Sequence, residues 1–294
     1  MASRKNKIAM IFDADKTLIP EYMQNMLCRY FEDDIDSFWD RVKALQQQCA
    51  LDNIPYQHEA VYLSVLLDKF NDPDDPMYDC TRDELMIAGS YLEFFPGVDS
   101  FFDNMRAIVA QDRYALHDVS LDFYVVSSGL ADMLRGSFLS RWVGEENIYG
   151  CEFLFEDDVP VHVRHFMSYT EKTKFLFMVN KGVDTTAINN KVPQSDRSVP
   201  ISQMMYFGDG PTDVPMFSIV DNEGGLTFAV YGPDDPVAFE NAYQLRRTGR
   251  VMFKNEADYR KGSALYRDAS RAVSELADLI VRSDDSVGGF SPSF

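Results

Sequence analysis

Five short apolar runs constrain this chain more than any other feature. They are "KIAMIF" at Lys7 to Phe12, "LDFYVV" at Leu121 to Val126, a weaker "NIYGCEFLF" at Asn147 to Phe155, "QMMYF" at Gln203 to Phe207, and "LTFAVY" at Leu226 to Tyr231. Runs without polar alternation suit strands buried on both faces, as in a parallel sheet covered by helices. Four of them stop at small or acidic residues: "DAD", "SSG", "GDG" and Gly232. Ligands in open α/β sheets bind just past such carboxyl ends. The expectation is an α/β, Rossmann-like three-layer core with a central parallel sheet and a ligand site at these strand ends.

The texture between the first two runs is different. From about Pro20 to Phe94 the periodicity is helical. Ala60, Val61, Leu63, Leu66, Leu67 and Phe70 share one face, and "NDPDDP" breaks the region at Asn71 to Pro76. Thr81 and Glu84 have capping-box spacing before Leu85, Ile87 and Ala88. This reads as about four helices forming an inserted cap. The expected division is 1–19 and 95–282 for the core, 20–94 for the helical cap, and a disordered tail at 283–294. Ser168 and Glu171 have capping-box spacing at the head of a helix that Gly182 would stop. Lys181 to Ile201 reads as a surface loop, and Tyr259 to Val281 as a final amphipathic helix.

With 294 residues the chain buries a large core without staples. Its formal charge of -19 excludes the basic footprint that nucleic acids and anionic membranes require. The cysteines Cys28, Cys49, Cys80 and Cys151 show no C-x-x-C spacing, so reduced, buried thiols are expected. The basic start lacks the apolar run of a signal peptide, and no stretch reaches membrane-spanning length. A cytoplasmic protein is the expectation.

The chemistry sits at the strand ends. In "DADKT", Asp13 and Asp15 point the same way on an extended segment, so both can face one site. One carboxylate can attack an electrophile while the other moves a proton. A turn with two exposed aspartates is the plainer alternative. "YFGDGPTDVPMF" adds Asp209, bracketed by glycines, and Asp213 in the first turn of a helix opened by Pro211. Asp13, Asp15 and Asp209 together suit one hard cation, and Mg²⁺ takes carboxylates, waters and phosphate oxygens. "VVSSGL" offers the hydroxyls of Ser127 and Ser128, and the N–H groups of Ser128 and Gly129 as an anion nest. Lys172 lies in the first turn of its helix, where the dipole disfavours a cation and an anionic partner would explain it. Lys174 and Lys181 are the competing lysines.

These four pieces, in this order, resemble the haloacid dehalogenase superfamily, most nearly its phosphoserine-phosphatase-like branch with a helical cap. The resemblance covers Lys7 to Gly129 and Ser168 to Tyr231. It implies an aspartyl-phosphate on Asp13, with Asp15 as general acid and base and its backbone carbonyl on the cation. Ser127 and Lys172 would hold the phosphoryl group, Asp209 would ligate Mg²⁺, and Asp213 would support that shell. The implied activity is Mg²⁺-dependent hydrolysis of a small phosphorylated metabolite. The same intermediate also serves a phosphotransferase or mutase, and a non-catalytic phosphate-binding module is a third reading. Two positions depart from the branch. Lys16 fills a slot usually held by a small residue, and Glu21 falls one position short of the substrate-reading acid.

Overall fold

A computed structural model of the chain describes residues 6–288. The first run is β1 (Lys7–Phe12), followed by α1 (Met23–Tyr30), α2 (Ile35–Leu51), α3 (His58–Phe70) and α4 (Arg82–Ser90). Then come α5 (Val98–Val109), the short α6 (Asp112–Ala115), β2 (Ser120–Leu130), α7 (Ala131–Gly136) and α8 (Ser140–Val143). The chain continues through β3 (Ile148–Glu156), β4 (Val159–His165), α9 (Glu171–Lys181), β5 (Met204–Gly208) and α10 (Val214–Asn222). It closes with β6 (Leu226–Tyr231), α11 (Pro236–Arg247), β7 (Phe253–Glu256) and α12 (Ala264–Gly288).

The described residues form one seven-stranded sheet in the order β4-β3-β2-β1-β5-β6-β7, flanked by helices. All pairings are parallel except β3 with β4. β1 lies between β2 and β5, with Phe12 opposite Val125 on one side and Phe207 on the other. The residues that follow these three strands therefore come together at one sheet edge. β1 and β5 are buried almost end to end, which is why they read as continuous apolar runs.

Two strands escaped the sequence reading. β4 carries Pro160, tolerable because β4 is an edge strand. It returns from β3 through Asp157 and Asp158, both left-handed at φ 48 and 65, the backbone of a two-residue hairpin turn. β7 is only four residues long, but its Phe253 completes a ladder. Phe12, Phe207, Phe228 and Phe253 occupy one register line across four strands, with successive ring centroids 4.6, 4.3 and 4.5 Å apart. That spacing is the interstrand distance itself, so the rings stack nearly parallel.

Helices α1 to α4 leave the core after β1 and return before α5. The Phe95 N–H donates to the Leu18 carbonyl at 2.9 Å, pinning the two ends together. The Thr81–Glu84 capping box is present at α4. Arg82 of α4 pairs with Asp132 of α7 at 2.9 Å. The same two helices meet backbone to backbone through Gly89 and Gly136. A Cβ on Gly89 would lie 1.9 Å from the Met133 carbonyl oxygen, and one on Gly136 would lie 2.0 Å from that of Met86.

Three local expectations need correction. Ser168 and Glu171 form no capping box: α9 starts at Glu171, and Glu171 pairs instead with Lys174 and His165. Gly182 does end that helix in the left-handed conformation. The final helix begins at Ala264, after a loop that buries Tyr259, and runs to Gly288, past the tail boundary expected at Ser283. The rest of that tail, 289–294, lies outside the described residues. Cys28, Cys80 and Cys151 are buried and Cys49 partly so, all as free thiols. No helix among the described residues is long and apolar enough to cross a membrane.

Candidate active site

Asp13 follows β1 directly. Its N–H continues the sheet by donating to the Phe207 carbonyl at 2.8 Å, so its position is fixed by the ladder. The chain then turns tightly: the N–H groups of Thr17, Leu18 and Ile19 all donate to the Ala14 carbonyl. Lys16 adopts φ 63 inside this turn, an uncommon conformation for a residue with a side chain. The buried Tyr259 hydroxyl donates to the Thr17 carbonyl at 2.8 Å and braces the turn from the core. Asp15 accepts the N–H of Met23 at 3.0 Å, tying the site to the head of α1.

Lys172 is completely buried. Its Nζ lies 2.9 Å from Asp13 Oδ1 and 2.7 Å from Asp213 Oδ1. Burial alone would lower its affinity for a proton, but the two carboxylates outweigh that and hold the ammonium firmly charged. Lys174 pairs with Glu171, and Lys181 donates to the Ile188 and Asn190 carbonyls. Of the three candidate lysines, Lys172 alone lies among the aspartates.

Asp213 is fully buried and fully engaged. Its Oδ1 accepts from Lys172 and from the Tyr206 hydroxyl at 2.6 Å, and its Oδ2 from the N–H groups of Asp209 and Gly210 at 3.0 and 3.3 Å. Gly208 makes room, because a Cβ there would lie 2.4 Å from Asp213 Oδ2. A carboxylate so saturated orients its neighbours.

The charges do not balance. Asp13, Asp15, Asp209 and Asp213 face one ammonium. Burial raises Asp13 to about 6, against the pull of Lys172, with Asp213 adding to the rise. Burial, and then the charge of Asp13, raises Asp15 to about 8. Burial, Asp213 and Asp13 push Asp209 well above the usual carboxylate range. Oxygen atoms of Asp13, Asp209 and Asp213 lie within 4.8 Å of one another. This excess of hard oxygen donors fits a divalent cation such as Mg²⁺. Beside Asp13 and Asp209 the cluster contains the carboxylate of Asp213, expected from the sequence to support the metal shell. Since Asp213 is saturated, Asp13 and Asp209 are its freer carboxylates.

At the end of β2, Ser127 is fully buried and its Oγ accepts the Gly129 N–H at 3.0 Å. One of the two N–H groups expected in an anion nest is thus already paired. The Ser128 carbonyl accepts from the Tyr62 hydroxyl at 2.6 Å and from Cys151 Sγ at 3.2 Å, while the Ser128 hydroxyl is buried without a partner.

The sequence reading missed Tyr206 and Tyr22. Tyr206 is hidden within an apolar run. Burial raises the pKa of the Tyr22 hydroxyl, and the charges of Asp209, Asp15 and Asp13 add to the rise. The Leu130 N–H lies 3.0 Å from Met23 Sδ. No short motif marks either tyrosine.

No protein-family model matches the chain. It is 32% identical over 287 residues to an uncharacterized protein of Borreliella burgdorferi, covering 90% of this chain and 96% of that one. Among solved structures it resembles a probable phosphoserine phosphatase from Vibrio cholerae in unliganded form. The TM-score is 0.53 and the identity 11%, over 95% of this chain and 68% of that one. A substrate-bound phosphoserine phosphatase gives a TM-score of 0.49 and 13% identity, over 84% of this chain and 92% of that one. The chain belongs to one family with the borrelial protein and carries the haloacid dehalogenase fold, an α/β core interrupted by helices.

Proposed function

We propose that this chain is a phosphomonoester hydrolase that forms an aspartyl-phosphate on Asp13 and uses Mg²⁺. The observation that carries the reading is the buried Lys172, held between Asp13 and Asp213 at the carboxyl ends of the central strands. A buried lysine there keeps Asp13 oriented and provides positive charge to a phosphoryl group, and phosphoryl transfer is mostly positioning and charge neutralisation.

In the first step an Asp13 oxygen bonds to phosphorus as the ester P–O bond breaks, and Asp15 gives its proton to the departing oxygen. With its pKa raised to about 8, Asp15 holds that proton at neutral pH. In the second step Asp15 takes a proton from water, the water oxygen bonds to phosphorus, and Asp13 is released with inorganic phosphate. Lys172 and Ser127 hold phosphoryl oxygens. Asp13 and Asp209, with the Asp15 backbone carbonyl, would hold Mg²⁺, which supplies charge neutralisation. The formal charge of -19 supports a small phosphorylated metabolite rather than a nucleic acid or anionic membrane as partner.

The decisive experiment is turnover of an aryl phosphate with Mg²⁺ by wild type and Asp13→Asn. The variant is expected to remain folded and inactive. Wild-type-like turnover by it would sink the nucleophile assignment.

A further inference from the structure

Four rings of the insert form a continuous row beside the acidic site. Lys16, the residue after Asp15, holds its ammonium 5.2 Å from the centre of the Tyr22 ring. The Tyr22 and Trp39 centroids are 5.3 Å apart. Those of Trp39 and His58 are 6.4 Å apart with the ring planes parallel, and those of His58 and Tyr62 are 6.3 Å apart. Tyr62 then donates to the Ser128 carbonyl at 2.6 Å. The row therefore starts against the residue after Asp15 and ends on the residue after Ser127. Its two ends rest on the ends of β1 and β2, where the phosphate ester is held in the reading above.

Core packing does not account for the row. Tyr62 is buried and Trp39 partly so, but Tyr22 is 47% exposed and His58 is exposed as well. Rings that touch one another at the surface and are bordered by polar groups mark a binding surface. Here the polar groups fix the rings. Trp39 Nε1 donates to Asn25 Oδ1 at 2.7 Å, and Asn25 Nδ2 donates in turn to Glu21 at 2.9 Å. His58 Nδ1 pairs with Gln46. The Met23 N–H on Asp15 fixes the backbone beside Tyr22. Rings set in place beforehand lose little freedom when a ligand arrives. A flat ligand ring gains contact area and a matching quadrupole against such faces, whereas a puckered ring of similar size gains only the apolar contact.

Resting on the phosphatase reading above, we propose that Tyr22, Trp39 and His58 form a stacking shelf for the alcohol portion of the substrate. The substrate class is then a phosphate ester whose alcohol carries a flat aromatic or heteroaromatic ring on a short linker.

The test compares kcat/KM of the full chain with Mg²⁺ for benzyl phosphate and cyclohexylmethyl phosphate, and for the 2-phenylethyl and 2-cyclohexylethyl pair. Within each pair the alcohols leave alike and the rings differ in flatness. Wild type is expected to prefer the flat ring by about tenfold in at least one pair. Tyr22→Leu is expected to lose most of that preference and Tyr22→Phe to keep it. Trp39→Leu repeats the comparison if Tyr22→Leu does not fold. A merely structural role would slow both members of a pair alike. No preference in wild type, or an unchanged preference in Tyr22→Leu, therefore overturns the proposal. If no phosphate ester is turned over at all, the phosphatase reading fails separately. Calorimetric affinities for benzylphosphonate and cyclohexylmethylphosphonate then decide: tighter binding of the flat ring that Tyr22→Leu abolishes supports the shelf, and equal affinities overturn it.

Discussion

Lys172 Nζ lies 2.7 Å from Asp213 Oδ1, and neither side chain reaches solvent. The pair joins the first turn of α9 to the segment after β5, and Asp13 shares the same ammonium. Removing the cation would leave two buried carboxylates facing each other. Lys172→Met is expected to destabilise the fold by about 3–5 kcal/mol, read from urea unfolding. A change below about 1 kcal/mol would mean that the carboxylates are neutral or solvated without it.

Tyr206→Phe isolates one arm of the same arrangement. The hydroxyl donates to Asp213 at 2.6 Å, and phenylalanine keeps the buried ring. A loss of about 1.5–3 kcal/mol is expected, because the bond is to a charged acceptor. Unfolding of the variant at the wild-type denaturant midpoint would contradict it.

On the proposed function, metal binding and pH would be linked through the aspartates. Asp13 and Asp15, raised from 3.8 to about 6 and about 8, bind protons more tightly folded than unfolded. Their contribution to stability is complete below about pH 4 and is lost as pH rises through those folded values. The metal-free protein should therefore lose Tm from these groups between about pH 5 and pH 8. Mg²⁺ needs the ionised carboxylates, so its affinity and its Tm increment should be larger at pH 8 than at pH 5. Thermal scans with EDTA and with Mg²⁺ at both pH values check this, and an equal increment at both would refute the linkage.

The parts of this site that could be read from sequence are those announced by strand ends. Asp13, Asp15, Ser127 and Asp209 each follow an apolar run, and the strand order brings β1, β2 and β5 side by side. Lys172 stood out because a cation at a helix start is electrostatically misplaced without an anion. β7 and β4 stayed hidden because their stability comes from partners: Phe253 from the ring ladder, and β4 from a hairpin on β3. Tyr206 was illegible for a similar reason: its role depends on the Asp213 that folds against it, and it has no local pattern to mark it.

The contact between insert and core gives a prediction away from the chemistry. Gly89→Ala must displace the Met133 carbonyl, which is backbone and cannot swing aside. A destabilisation of about 1–3 kcal/mol or more is expected from this overpacking, in the same urea assay. A neutral effect would show that α4 can slide over α7.

Gly89 and Gly136 also bear on how this family drifts. On the proposed function the aspartates are restrained by chemistry, whereas these two glycines are restrained by volume, each facing a carbonyl oxygen across the gap between helices. Ranking the family's positions by invariance should therefore surface both glycines beside the acidic residues, although neither glycine belongs to the acidic cluster. Invariance in this family would then mark two different things, an acidic cluster and a close helix contact, and only the shape of the neighbouring backbone distinguishes them.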